Sequence, residues 1–160
     1  MSTRFHSSQS AAGLAATELM LETFRLNGAL LAAGDRLVAP IGLTSARWQV
    51  LGAIAIAGQA HPVAHIARDM GLTRQSVQRV VDELAVEGLV AFRPNPHHRR
   101  AKLVALTDSG RLAYEAAIER HSGWSNRLAR GFDPAALAQA TALMRELRMR
   151  LFSDLEANGD

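Results

Sequence analysis

Two segments of the sequence carry side chains that could bind a nucleic acid. The segment TRQSVQR (73–79) offers two arginines and two glutamines at helical spacing. Each of these side chains can make two hydrogen bonds to one base edge, arginine to guanine and glutamine to adenine. The segment RPNPHHRRAKLVAL (93–106) holds four cationic residues and no acidic residue. Cations on a loop of this kind can contact phosphate oxygens.

Both segments also have an ordinary interpretation as solvated surface, because an amphipathic helix carries a polar face and a charge run is usually hydrated. The net charge of +3, from 18 basic and 15 acidic side chains, does not choose between the two. The distribution of charge is more informative. From Gly88 to Lys102 the chain has four cations and no acid, so this stretch carries more positive charge than the whole chain's excess. A local basic patch of this kind indicates a polyanion site.

The elements that would position these segments are mainly helical. Apolar spacing, threonine or aspartate caps and glycine or proline breaks predict six helices and two strands. The predicted helices are 11–38, 45–57 after Thr44, His61–Pro62 to Met70, a fourth from Thr73 to about Glu87, a fifth from Thr107 to about Arg130, and a sixth from Pro134 after Asp133. The predicted strands are 89–93 and 102–106.

The fourth predicted helix has one apolar face and one polar face. At about 100° per residue, Val77, Val80, Val81 and Leu84 share a side, as in a helix that lies on a core. The opposite side carries Gln75, Gln78, Arg79 and Asp82, with Arg74 at its flank. A short helix, the turn MGLT and this helix have helix-turn-helix spacing, and two strands with a basic loop follow directly. We therefore predict a winged helix, mainly α with a small antiparallel β-wing, in which residues 93–102 form the wing loop.

The last predicted helix carries more apolar residues than one small core needs. Leu137, Met144 and Leu151 recur every seven residues, with Leu147 and Leu155 nearby. This pattern predicts contact with a partner helix.

Several other functions find no support in the residues. The chain has no cysteine, which excludes disulfides, thiol nucleophiles and cysteine-ligated zinc. No apolar run of about 18 residues suggests a membrane span, and residues 1–10 read as a polar tail without a secretion signal. His61 and His65 have a spacing that permits metal ligation, but Pro62 makes His61 a cap or loop residue and no nearby cysteine completes a set, so we expect neither a metal nor a cofactor. No phosphate loop, paired carboxylates or Ser–His–Asp arrangement points to an enzyme. We expect a cytoplasmic protein.

The segments LTSARWQVL (43–51), VAHIARDMGLTRQSVQRVVDELAVEGLV (63–90) and RPNPHHRRAKLVALTDSG (93–110) resemble the MarR family of multiple-antibiotic-resistance-type transcription regulators. The resemblance implies a homodimer with a DNA-binding domain over 40–106 and a helical dimerisation region over 11–38 and 107–155. It also implies a ligand-responsive regulator, most often a repressor, that binds a pseudo-palindromic operator. One position departs from the family. His98 stands where the wing usually has an aspartate that orients the arginine two residues later, here Arg100.

Two sets of site residues follow from the side chains and the resemblance together. The expected DNA-binding residues are Thr73, Arg74, Gln75, Ser76, Gln78, Arg79, His98, Arg99, Arg100 and Lys102. The expected effector-binding residues, for a small aromatic or anionic compound, are Phe24, Trp48, Tyr114 and Arg111. Core packing is an alternative for the aromatic residues, and exposure to solvent is an alternative for Arg111. A winged helix that binds another protein instead of DNA is the alternative function. A wing rich in cations and poor in apolar anchors speaks against it.

Overall fold

The computed structural model describes residues 9–98 and 100–158 as a mainly helical chain with one three-stranded antiparallel sheet. The helices are α1 (Ala11–Val38), α2 (Ser45–Ala57), α3 (Val63–Met70), α4 (Arg74–Val86), α5 (Asp108–Leu128) and α6 (Pro134–Ala157), and a short 3-10 turn, Ala39–Ile41, follows α1. The strands are β1 (His61–Pro62), β2 (Val90–Arg93) and β3 (Leu103–Leu106), in the order β1-β3-β2. The predicted fold class is confirmed. In the described part of the chain, no helix combines the length and the apolar character that crossing a membrane requires.

The predicted helix starts are confirmed by their caps. Thr44 and Thr73 each accept a hydrogen bond through the side-chain hydroxyl, from the backbone N–H of Arg47 at 3.3 Å and of Ser76 at 3.2 Å. Asp133 accepts one from the N–H of Ala135 at 3.0 Å. These bonds satisfy N–H groups that have no partner inside the first helical turn.

The predicted start of the third helix is wrong. His61–Pro62 forms the short strand β1, which pairs antiparallel with β3 so that His61 lies opposite Val104. Pro62 has extended backbone angles and precedes the first helical residue, Val63. Proline has no N–H to donate, so it is tolerated in a strand at the edge of a sheet, where β1 lies. The wing strands also begin one residue later than predicted, at Val90 and Leu103.

The chain divides into two compact units, and the boundary falls within α5 between His121 and Ser122. The first unit contains the core, and α4 contributes the four residues that its periodicity predicted. Burial of such a side chain stabilises the fold by roughly 1.5–3 kcal/mol. The largest fully buried side chains of this core are Val38, Val50, Leu51, Val77, Val81, Leu84 and Val104.

The base of the wing is fixed to the start of α5. Thr107 donates through its backbone N–H to the carbonyl of Leu89 at 3.1 Å and through its hydroxyl to the carbonyl of Gly88 at 2.6 Å. The same hydroxyl accepts from the N–H of Gly110 at 3.0 Å, which confirms the predicted cap. A Cβ at Gly110 would lie 1.9 Å from the carbonyl oxygen of Leu89, so only glycine permits this approach.

In the second unit, α6 is a continuous helix with no buried residue. Its apolar residues include Leu137 at 42%, Leu151 at 47% and Leu155 at 66% exposure. The predicted helix is therefore confirmed, and its apolar residues remain open to a partner. The dimerisation role of residues 11–38 and 107–155 stays a prediction.

Candidate nucleic-acid interface

Helix α4 presents a row of polar side chains on the face opposite the core. Val77 and Val81 are buried on its inner face, and this fixes the rotation of the helix about its axis. As a result, Arg74, Gln75 and Arg79 are exposed. Gly71 has a φ of +65°, a left-handed conformation that suits glycine and turns the chain from α3 towards α4.

The two hydroxyls at the start of α4 bind mainly to each other and to the backbone. Thr73 caps the helix, and its hydroxyl donates to the Ser76 hydroxyl at 3.1 Å. The Ser76 hydroxyl in turn donates to the Thr73 carbonyl at 2.8 Å. The sequence places both residues in the expected DNA-binding set. The structure gives them a capping role, which holds the first turn of α4, and a contact with DNA stays a prediction.

Further along α4, two side-chain pairs occupy the outer face. The Gln78 amide donates to the Asp82 carboxylate at 2.8 Å. The Arg79 guanidinium lies 3.7 Å from the Glu83 carboxylate, and Arg79 is 76% exposed there. Each pair spans one helical turn, where side chains are neighbours. An exposed pair of this kind is weak, so Arg79 can exchange Glu83 for a phosphate at little cost.

A cleft of about 710 Å³ joins α4 to the wing. It brings together five of the predicted DNA-binding residues, namely Arg74, Gln78, His98, Arg100 and Lys102. Of the described residues that line it, Asp82 is the one acid. The excess of positive charge at one opening makes this face attractive to a polyanion. Sequence reasoning identified the polar face and the basic loop separately, and the fold places them side by side.

The wing loop is organised by Asn95. Its side-chain amide donates to the carbonyl of Ala101 at 2.9 Å, and its side-chain oxygen accepts from the N–H of His97 at 3.0 Å. The backbone of His98 adds a bond to the carbonyl of Asn95 at 3.3 Å. Asn95 was not among the predicted site residues. The Asn-Pro pair in this loop is a turn pattern that could have identified it, because asparagine commonly bonds to the backbone two residues on.

Two cations of the wing, Arg100 and Lys102, pair with no carboxylate of the described residues. Lys102 lies 5.8 Å from the ring centre of Phe92, within reach of a cation–π contact. Arg100 and His98 are exposed. Arg99 lies outside the described residues. The free cations leave this loop able to meet an external anion.

Comparison with known proteins agrees with this geometry. A sequence model of the MarR family matches residues 41–101. A MarR-family transcriptional regulator from Streptomyces coelicolor, known from its crystal structure, is 30% identical, with a TM-score of 0.73 over 88% of this chain and 98% of that one. The chain belongs to the MarR family. It is thus a DNA-binding transcription regulator and not an enzyme.

Two further proteins are similar to this MarR-family chain. An uncharacterised protein of Mycobacterium tuberculosis is 41% identical over 133 residues, which cover 83% of this chain and 92% of that protein. The regulator CouR of Rhodococcus jostii, solved with p-coumaroyl-CoA bound, is 26% identical, with a TM-score of 0.73 over 82% of this chain and 92% of that one. The fold of this chain is therefore shared with the two solved regulators.

A second cleft in the MarR-family chain, of about 540 Å³, is lined by two of the predicted effector residues, Trp48 and Tyr114. His121 faces Trp48 with 5.3 Å between ring centres. Gly52 lines the same cleft, and a Cβ there would lie 3.3 Å from the Tyr114 ring. The aromatic walls suit a flat apolar group.

The other two predicted effector residues do not line this cleft. Phe24 is 74% exposed on α1. Arg111 pairs with Asp108 and lines a separate cleft of about 430 Å³, which shares Tyr114. The structure thus brings Trp48 and Tyr114 together in one cleft, places Arg111 with Tyr114 in another, and leaves Phe24 outside both.

The two histidines with metal-ligand spacing contact one another. The Nδ1 atoms of His61 and His65 are 2.8 Å apart, and His65 Nε2 lies 3.6 Å from the Asp69 carboxylate. A hydrogen bond between one protonated and one unprotonated nitrogen accounts for the short distance. Across the described ranges, no group of three or more suitable ligands comes together.

A contact that sequence reasoning missed holds the end of α4. Arg47 on α2 donates to the carboxylate of Glu87 and, at 3.4 Å, to the carbonyl of Gly42. The Arg47 side chain is only 12% exposed. Because the two partners lie 40 positions apart, no local pattern could have paired them. The contact fixes the C-terminal end of α4 relative to α2.

Proposed function

We propose that this chain is a homodimeric repressor that binds a pseudo-palindromic operator, with α4 in the major groove and the wing on the adjacent backbone. The observation that supports this most directly is the cleft that joins Arg74 and Gln78 on α4 to Arg100 and Lys102 on the wing. Side chains able to read bases and side chains able to bind phosphate thus share one face. Thr73, Gln75, Ser76, Arg79, His98 and Arg99 complete the proposed set.

The homodimer is supported by the apolar residues of α6. Leu137, Leu143, Leu151 and Leu155 are each more than 40% exposed. Monomeric proteins rarely expose a long apolar stripe, and a second copy of the same helix would cover it. Two winged helices related by a two-fold axis should contact half-sites whose centres lie about 34–36 Å apart, one turn of DNA.

The decisive experiment is the selection of bound fragments from random DNA with the purified protein, followed by footprinting. We expect a pseudo-palindrome protected over two half-sites.

Leu151→Asp should abolish both dimer and operator binding, because the dimer would bury two unpaired charges at several kcal/mol each. Ser153→Asp adds the same charge two residues along, about 200° around the helix, and should leave both unchanged. A single protected half-site, or a monomeric wild type at micromolar concentration, would refute the dimer.

We propose also that a small aromatic or anionic compound releases the operator by binding the cleft of Trp48 and Tyr114. The aromatic lining supports this, as does the p-coumaroyl-CoA bound by the similar regulator CouR. Such a ligand acts only if it binds the DNA-free conformation more tightly than the DNA-bound one.

The effector proposal can be tested with aromatic carboxylates and aromatic acyl-CoA thioesters. A releasing compound should change the fluorescence of Trp48, and Trp48→Phe identifies that signal because Trp124 remains. Tyr114→Ala should weaken release by the compound and preserve operator affinity.

Peroxide should have little effect on operator affinity, since the chain has no cysteine to oxidise. A loss of binding that peroxide causes and a dithiol reverses would contradict this mode of sensing.

Transcription from a promoter that overlaps the selected operator separates repression from activation. We expect the protein to lower transcript yield in vitro and the effector to restore it. An increase in transcript on adding the protein would show an activator.

A further inference from the structure

We infer that Asp82 is a specificity-determining residue, which fixes the amide of Gln78 so that Gln78 reads adenine and rejects guanine. The inference rests on the proposed function, in which α4 lies in the major groove. Asp82 is an acidic residue in the cleft between α4 and the wing, where the other charged side chains of the described lining are cations.

The orientation of the Gln78 amide follows from its contact. Gln78 Nε2 lies 2.8 Å from Asp82 Oδ1. An ionised carboxylate only accepts hydrogen bonds, so the NH₂ end of the amide must face Asp82. Gln78 then keeps one N–H and its carbonyl oxygen for another partner.

Those two remaining groups match one purine. Adenine offers the N7 acceptor and the N6 amino donor in the major groove, which suit one N–H and one carbonyl oxygen. Guanine offers two acceptors, N7 and O6, and would need both N–H groups of the amide. Since Asp82 holds one N–H, guanine would meet the carbonyl oxygen of Gln78 and leave an acceptor without a donor. Asp82 thus contributes to specificity by excluding the wrong base as well as by presenting the right one.

The surroundings make a carboxylate tolerable at this place. Gln78 and Asp82 line the same cleft as Arg74, Arg100 and Lys102. These cations offset the negative charge of Asp82 next to DNA phosphates. Asp82 itself is exposed, so changing it does not disturb the core.

The test compares two near-isosteric variants, Asp82→Asn and Glu83→Gln, by their affinity for operator duplexes. Gln78→Ala first identifies the base pair that Gln78 reads, and we expect adenine there in the wild type. The wild type should prefer adenine over guanine by about 5- to 140-fold, the equivalent of roughly 1–3 kcal/mol. Asp82→Asn should reduce that preference by at least about 5-fold. An asparagine can donate to the Gln78 carbonyl oxygen, which frees both N–H groups for guanine.

Glu83→Gln is the matched control, because it removes one negative charge at the next position of α4. It should tighten binding to all sequences alike and leave the adenine preference unchanged. Duplexes with 7-deazaadenine or with a purine that lacks the N6 amino group at this position should each bind the wild type more weakly. For the Asp82→Asn variant, the loss of affinity caused by each of these two modified bases should be smaller than for the wild type.

Three results would overturn the inference. One is a wild-type preference for guanine at the base pair that Gln78→Ala relaxes. Another is an Asp82→Asn variant that keeps the adenine preference as Glu83→Gln does. The third is a Gln78→Ala variant with unchanged preference at every base pair, which would also refute base reading by this part of α4. The first two leave the proposed function intact, so the two failures are distinguishable.

Discussion

Helix α4 and the wing loop would face the same DNA, yet the protein holds them very differently. On α4, four buried residues fix the inner face, and side-chain pairs such as Gln78–Asp82 occupy the outer face. In the wing, Asn95 and a few backbone bonds shape the loop, while Arg100 and Lys102 form no ion pair with any described carboxylate. The first region presents directed hydrogen-bond donors and acceptors, and the second presents cations without a described carboxylate partner.

This difference reflects what each contact requires. Discrimination between bases depends on the direction of hydrogen bonds, so a base-reading side chain needs a fixed position. A phosphate contact depends mainly on charge and the release of counterions, and tolerates a flexible side chain. Substitutions on α4 should therefore change which sequence is bound. Substitutions in the wing should change how binding depends on salt and pH.

The largest effect is expected on α4. Gln78→Ala should relax the preference at one base pair in each half-site and cost roughly 1–3 kcal/mol there. Arg79→Ala, on the exposed flank of the same helix, should weaken all sequences alike because we expect Arg79 to contact a phosphate. Binding to a set of single-base operator variants measures both. If the two variants matched the wild type in affinity and preference, α4 would not be the reading element.

Much of this arrangement could be predicted from the sequence. The apolar spacing of α4 predicted which of its faces packs on the core. The threonine and aspartate caps predicted where α2, α4 and α6 begin. These features depend on residues close together in the chain, whose pattern has a direct physical meaning. The basic loop could be recognised for the same reason, because its charge is local.

What could not be predicted depends on contacts between distant residues or on pairing that leaves no periodicity. His61–Pro62 became a strand because β3 lies beside it, although its own residues suit a helix start. The ion pair between Arg47 and Glu87 needs the fold before its partners meet. Phe24 and Trp48 are both aromatic residues in helices, and only the structure shows that Phe24 lies away from the cleft.

An intermediate effect is expected in the wing, and it should appear as salt dependence. Arg100→Ala should reduce the slope of log affinity against log salt by about 0.9 for each subunit, since each lost phosphate contact releases fewer counterions. Base preference should stay as in the wild type. Arg25→Ala, which removes an exposed arginine paired with Glu22 on α1, is the control and should keep the full slope. An unchanged slope in Arg100→Ala would place the wing arginine away from the DNA.

The smallest effect is expected at His98, which lines the cleft beside Arg100. Histidine changes charge between about pH 5 and pH 8, and a neighbouring phosphate favours the protonated form. Operator affinity should therefore rise as the pH falls from about 8 to about 6, by a factor that corresponds to about 1 kcal/mol or less for an exposed contact. His98→Gln should remove this part of the pH dependence. His97→Gln is the matched control, because His97 is its exposed neighbour and does not line the cleft. An operator affinity whose pH profile is the same in the wild type and in His98→Gln would mean that His98 points away from the phosphates and that Arg100 holds the wing without it.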